Sequence, residues 1–76
     1  MKVAVKYFAS MRDAMGKADE SVDIGDSSNV ADLWGAVSQN PMPENTLIAV
    51  NMEYTNSEHM LTDGDEVAFF PPVTGG

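Results

Sequence analysis

Val30, Leu33, Trp34 and Val37 recur at i, i+3, i+4 and i+7, which builds one apolar stripe of an amphipathic helix. This stripe constrains the fold more than any other segment, because most of the other patterned segments read as strands and need one face covered. Asn29 precedes the stripe as a good N-cap, and Asp32 places a negative charge in the first turn, where it is favoured. Pro41 pushes the residues before it out of the α region, so the helix is expected to stop by Asn40. Gly35 inside it costs about 1 kcal/mol relative to alanine. Trp34 lies on the stripe and is read as core rather than as a ligand-stacking residue.

Residues 2–8 alternate with period two, as a half-buried strand does. Val3, Val5 and Tyr7 share one phase; Ala4, Lys6 and Phe8 share the other, and Lys6 marks it as the solvent face. Phe8 is therefore expected on the wetter side. Residues 9–15 suit a short helix stopped by Gly16. A second strand is expected over 20–24, with Val22 and Ile24 in phase, and a loop over 25–28. Residues 41–45 read as a loop, 47–50 as a buried strand and 53–55 as a short edge piece. Thr62-Asp63-Gly64-Asp65 reads as a turn with Gly64 suited to positive φ. The last strand spans 66–70, with Val67 and Phe69 in one phase and Ala68 and Phe70 in the other. One main helix on a mixed sheet of about four to five strands is an α+β roll.

With 76 residues there is room for one domain, here 1–70, followed by an extended tail over 71–76. Without cysteine, thiol catalysis, cysteine–zinc sites and disulfides are excluded. A formal net charge of −8 argues against nucleic acid, whose phosphates need clustered Lys and Arg. The acidity either keeps a small domain soluble or steers it toward basic grooves on partners. No apolar run approaches the ~18 residues of a membrane span, and Lys6 interrupts the one apolar-rich start, so a cytoplasmic protein is expected.

The tail reads Pro71-Pro72-Val73-Thr74-Gly75-Gly76. Prolines cannot donate to a strand ladder, so the sheet ends at Pro71. Two prolines and two β-branched residues favour an extended path, and six extended residues reach roughly 20 Å. The glycines carry no side chain, so a terminal carboxyl on Gly76 can enter a narrow active site. A carboxylate attacks a nucleotide α-phosphate readily but is itself a poor electrophile. Adenylation converts it to a mixed anhydride, and a sulfur donor then leaves a thiocarboxylate. No residue of this chain supplies those steps, since it has neither cysteine nor a Walker-type loop, so a separate ATP-dependent enzyme must act. The competing reading of Gly75-Gly76 is a frayed end. The stiff Pro71-Pro72 base speaks against it.

The segment Leu61-Thr62-Asp63-Gly64-Asp65-Glu66-Val67-Ala68-Phe69-Phe70, running on into that tail, resembles the C-terminal signature of the β-grasp, ubiquitin-like sulfur carriers, in particular those that serve molybdopterin synthase. Residues 7–12, Tyr-Phe-Ala-Ser-Met-Arg, resemble the same family's first strand entering its first helix, whereas 17–46 match only through their helix. The resemblance implies a β-grasp roll and a cycle in molybdenum cofactor biosynthesis. An activating enzyme adenylates Gly76 with ATP, a sulfur donor system converts it to a thiocarboxylate, and the tail, residues Pro71, Pro72, Val73, Thr74 and Gly75, threads into the large subunit of the synthase. There sulfur passes to cyclic pyranopterin monophosphate. On this reading the catalytic side chains belong to the large subunit, and this chain holds no permanent cofactor.

The resemblance also implies docking through an apolar patch at the base of the tail. Phe8 and Phe70 match aromatic positions of that patch, Tyr54 departs from a position that is usually aliphatic, and Arg12 matches a partner-facing position. In a β-grasp fold the first and last strands are neighbours, so Phe8 and Phe70 are expected side by side, as a binding surface or beneath a covering loop. His59, the one histidine, is read as structural or solvent-exposed, and no metal site is expected. Asp63, Asp65 and Glu66 lack EF-hand spacing and read as turn residues. Met11 and Met15, four apart, read as a helix face packed on the sheet. The rival functions are a sulfur carrier for thiamine or thiolated tRNA, and a ubiquitin-like protein modifier.

Overall fold

The computed structural model describes residues 1–71. Seven elements follow in the order β1 (Lys2–Tyr7), α1 (Ser10–Met15), β2 (Asp19–Asp23), α2 (Val30–Val37), β3 (Leu47–Val50), β4 (Glu53–Thr55) and β5 (Glu66–Phe70). The strands form one mixed sheet in the order β2-β1-β5-β3-β4. β1 and β5 run parallel at its centre, and every other pairing is antiparallel. This is the expected β-grasp, ubiquitin-like roll.

The period-two reading of β1 holds: Val3, Val5 and Tyr7 are buried while Lys2, Ala4 and Lys6 are exposed. The strand ends one residue early because Ala9 turns the chain at φ 51. Phe8 still donates its N–H to Phe69 O at 3.2 Å, so its side chain keeps the phase of Lys6. α1 accordingly begins at Ser10 and closes on Gly16, whose φ of 74 only glycine adopts freely. β2 sits one residue earlier than expected, since Asp19 pairs with Lys6. Ile24 extends that edge by donating its N–H to Met1 O at 2.9 Å.

α2 carries a full capping box: Asn29 Oδ1 accepts from Asp32 N–H at 2.8 Å, and Asp32 Oδ2 accepts from Asn29 N–H at 3.0 Å. The helix stops at Val37, before the limit set by Pro41, because Ser38 turns extended and its hydroxyl accepts from Asn40 N–H at 3.1 Å. Val30, Leu33 and Trp34 are buried, and Val37 packs against the core from its edge. Trp34 meets Phe69 edge-on at 5.1 Å and donates Nε1–H to Asn40 O at 2.8 Å, so its one polar atom is satisfied. Val3, Val5, Tyr7, Ile48, Val50, Val67 and Phe69 supply the sheet's half of this core. Met11 is buried in it and Met15 packs beside it, as their spacing implies.

Because the chain has one main helix, only one face of the sheet is covered among the described residues. The opposite face carries Ala4 and Lys6 of β1, Glu66, Ala68 and Phe70 of β5, Ala49 of β3 and Tyr54 of β4, as the registers Lys6↔Ala68, Ala49↔Ala68 and Ala49↔Tyr54 require.

Candidate docking site at the base of the tail

The uncovered face holds a groove of about 370 Å³. Ala49 and Ala68 form its floor, and their small side chains leave the space between taller neighbours. Phe8 and Phe70 form one wall. Their rings stack with centroids 4.6 Å apart and planes 8° from parallel. Parallel registry of β1 with β5 makes this pair, because Tyr7↔Phe69 is the last paired position and both rings leave the following residue on the same side. Tyr54 stands across the groove, 6.3 Å from Phe70 at 58°. Phe8 is 41% exposed and Tyr54 75%, and among the described residues no loop covers them, so of the two expected arrangements the open one is found there.

Two charges border the groove. Lys6 Nζ lies 3.7 Å from Glu66 Oε1, and both side chains stay near half exposed, so the pair adds little stability. Arg12 is exposed on α1 and does not line the groove. Three of the four expected docking residues, Phe8, Phe70 and Tyr54, are thus brought together, and Arg12 stands apart from them. Met52, which sequence reasoning missed, lines the rim and is 90% exposed. Its signal was available: Asn51-Met52 fills a two-residue hairpin loop, where glycine is the usual second residue.

The turn before β5 fixes the height of this wall. Gly64 takes φ 89, and Asp63 Oδ1 accepts from Lys2 N–H at 2.7 Å. Asp65 is buried and its carboxylate accepts from Thr62 N–H, the Thr62 hydroxyl and the Asn51 amide. Burial alone drives the Asp65 pKa upward. The hydrogen bonds from Thr62 and Asn51, helped by His59, outweigh it and hold the carboxyl below its usual range. These acids are spent on the turn, as their spacing implies. Glu20 accepts the Tyr7 hydroxyl at 2.7 Å under β2, and burial together with that carboxylate pushes the Tyr7 hydroxyl well above its ordinary value. His59 is exposed, its ring 3.3 Å from the Thr55 hydroxyl, and its carbonyl accepts from Val30 N–H.

A second hollow of about 440 Å³ lies between α1 and the end of α2, lined by Met11, Met15, Trp34 and Pro41 among others. It shares no residue with the groove and holds no exposed aromatic pair. The groove is the better candidate because β5 leads from it directly to Pro71. The threading and sulfur-loading roles expected of Pro72, Val73, Thr74, Gly75 and Gly76 lie outside the described residues. Among the described residues, no helix is long and apolar enough to cross a membrane.

Known proteins share this whole chain. The molybdopterin synthase sulfur carrier subunit of Escherichia coli is 37% identical over 97% of this chain and 99% of its own length. The subunit of the same name from Chlamydomonas reinhardtii is 31% identical, with both chains fully covered. The crystal structure of SAMP1 from Haloferax volcanii superposes with a TM-score of 0.85 over the full length of both chains; at 24% identity this likeness concerns the fold. The ThiS family model matches residues 5–76, and with a β-grasp roll ending at an open aromatic wall the chain belongs to the ThiS family.

Proposed function

We propose that this chain is a sulfur carrier of molybdenum cofactor biosynthesis, the small subunit of a molybdopterin synthase, acting in the cytoplasm. The observation that carries this reading is the 37% identity, over nearly the whole of both chains, to a sulfur carrier subunit of that synthase. The open aromatic wall at the base of the tail supports it, since a carrier needs a surface by which each partner holds the domain while the terminus is worked on.

The chemistry follows from the terminus. The Gly76 carboxylate, ionised at neutral pH, attacks the α-phosphate of ATP on an activating enzyme and displaces pyrophosphate. The resulting acyl adenylate has AMP as leaving group, and a sulfur donor displaces it to leave a thiocarboxylate. The tail then enters the large subunit, Pro71 and Pro72 keeping it extended and Val73, Thr74 and Gly75 passing along the channel. There the thiocarboxylate sulfur attacks a carbon of cyclic pyranopterin monophosphate and displaces an oxygen substituent from it. Water then cleaves the acyl–sulfur bond, which leaves the sulfur on the pterin and returns Gly76 as a carboxylate. Phe8, Phe70 and Tyr54 hold the domain against the large subunit, with Arg12 contributing charge at the margin. This subunit donates sulfur and leaves the catalytic side chains to its partner.

Intact-mass measurement after incubation with the activating enzyme, ATP and a sulfur donor tests the reading. Exchange of one oxygen for sulfur at the terminus is expected, followed by loss of that sulfur when the large subunit and the pterin substrate are added. A terminus that never exchanges, or that forms amide bonds to lysines instead, overturns it. Delivery to a thiazole-forming or tRNA-thiolating enzyme with none to the large subunit leaves a carrier but removes this pathway.

A further inference from the structure

Met52 sits where the fold gains nothing from it. β3 and β4 are joined by the two-residue loop Asn51-Met52, with Val50 paired to Glu53 across it. Both loop residues have positive φ, 51° and 71°. Such a loop favours Asn followed by Gly, because a side chain in the left-handed region meets its own backbone. Asn51 suits its place and Met52 does not. Burial normally offsets strain of this kind, yet Met52 is 90% exposed.

The loop is also held still. Asn51 N–H donates to Glu66 O at 2.8 Å, Glu66 N–H donates to Asn51 Oδ1 at 3.0 Å, and the Asn51 amide donates to Asp65 Oδ1 at 3.0 Å. Asn51 is thus bound to both Asp65 and Glu66, which places Met52 on the rim of the groove at the Glu66 end of β5. A thioether there is polarizable, adapts to an irregular surface and contacts aromatic rings favourably.

We infer that Met52 is a docking residue for the protein that accepts the tail, presented by the Asn51 clamp and gaining its contacts only in the complex. The inference rests on the proposed function, which makes that protein the large subunit of the synthase. The tail starts at Pro71, beside Phe70, and its six residues reach roughly 20 Å. A body that takes Gly76 into its active site is therefore held close to the Phe70 end of the groove. Met52 stands at the Glu66 end, so a partner that fills the groove past Tyr54 also covers Met52.

The test measures binding of the full-length chain to purified large subunit by titration calorimetry, and thermal unfolding of the free chain, for the wild type and three variants. Met52→Gly relieves the left-handed side chain, so the free chain melts a few degrees higher. It also loses the contact, so affinity falls roughly tenfold, the scale of leaving one such side chain unburied. Met52→Ala keeps the strained backbone and weakens binding to the same extent without that rise in melting temperature. Phe70→Ala reports on the groove itself and weakens binding independently. If both Met52 variants bind as the wild type does while Phe70→Ala is weakened, the Met52 inference is wrong and the docking face stands. If no variant is weakened, the face is not the interface and both readings fall. A lower melting temperature for Met52→Gly shows that the side chain supports the free fold and overturns the inference as well.

Discussion

The Asn51 side-chain amide donates to Asp65 Oδ1 at 3.0 Å, which fastens the β3–β4 hairpin loop to the start of β5. The same carboxylate accepts from Thr62 N–H at 2.8 Å and from the Thr62 hydroxyl at 3.0 Å. One buried anion thus holds the turn, the hairpin and the central strand in one arrangement, and the groove lies between the elements it joins.

Asp65 makes stability depend on acid. Its carboxyl is held below the usual range in the folded chain, so it contributes stability above the unfolded value, near 4, and that contribution disappears as pH falls through the lower folded value. Urea unfolding at pH 7 and at pH 3 should show a drop in the wild type that is smaller in Asp65→Asn. At pH 7 the substitution should itself destabilise by roughly 1–3 kcal/mol, because Thr62 and Asn51 donors lose a charged partner.

Tyr7 acts at the other end of the scale. Its hydroxyl pKa is raised by burial and by Glu20, so the neutral form contributes stability below the unfolded value near 10, and this is lost as pH rises toward the higher folded value. Ultraviolet titration should show one tyrosine resisting ionisation until the chain unfolds. Tyr7→Phe should remove that resistant step and cost about 1 kcal/mol at pH 7 through the lost hydrogen bond to Glu20.

Gly35 is exposed inside α2, and a methyl group added there meets no atom within 4 Å. Gly35→Ala should raise stability by about 0.5–1 kcal/mol, which in a chain of this size is a melting-temperature increase of several degrees. An unchanged or lower melting temperature would contradict the helix-propensity reading.

Phe70→Ala should leave the free fold nearly intact, since the ring is only half buried and stacks on an exposed partner. Affinity for the large subunit should fall by roughly tenfold or more, as truncation of a central interface aromatic does. Circular dichroism and titration calorimetry on the same preparation separate the two effects.

Deletion of Gly76 should abolish oxygen-for-sulfur exchange in the intact-mass assay while the melting temperature stays unchanged, because a chain-terminal glycine has no side chain to bury. Retained exchange would show that the terminus is not the loaded group.

Local pattern made much of this legible. The alternation of Val3, Val5 and Tyr7, the stripe from Val30 to Val37 and the turn at Gly64 each express a period or a backbone preference that neighbouring residues set. The phase of β1 also placed Phe8 on the face away from Tyr7. Element ends were harder: Ala9 ended β1 by taking a positive φ, and Ser38 ended α2 through a hydrogen bond from Asn40, neither of which propensity encodes. Asp65 read only as a turn residue, since its partner Asn51 lies in a different hairpin.

The sequence by itself therefore determined the elements and the faces they bury, and it supplied the terminus proposed here as the reactive group, because each depends on residues close along the chain. Tertiary structure alone decided what stands beside Phe70, where that tail begins. Parallel pairing of β1 with β5 laid Phe8 on Phe70, antiparallel pairing of β3 with β4 set Tyr54 opposite, and Asn51 fixed Met52 at the rim. These residues are distant in sequence and meet only when the sheet closes, and a single main helix leaves that face of the sheet open.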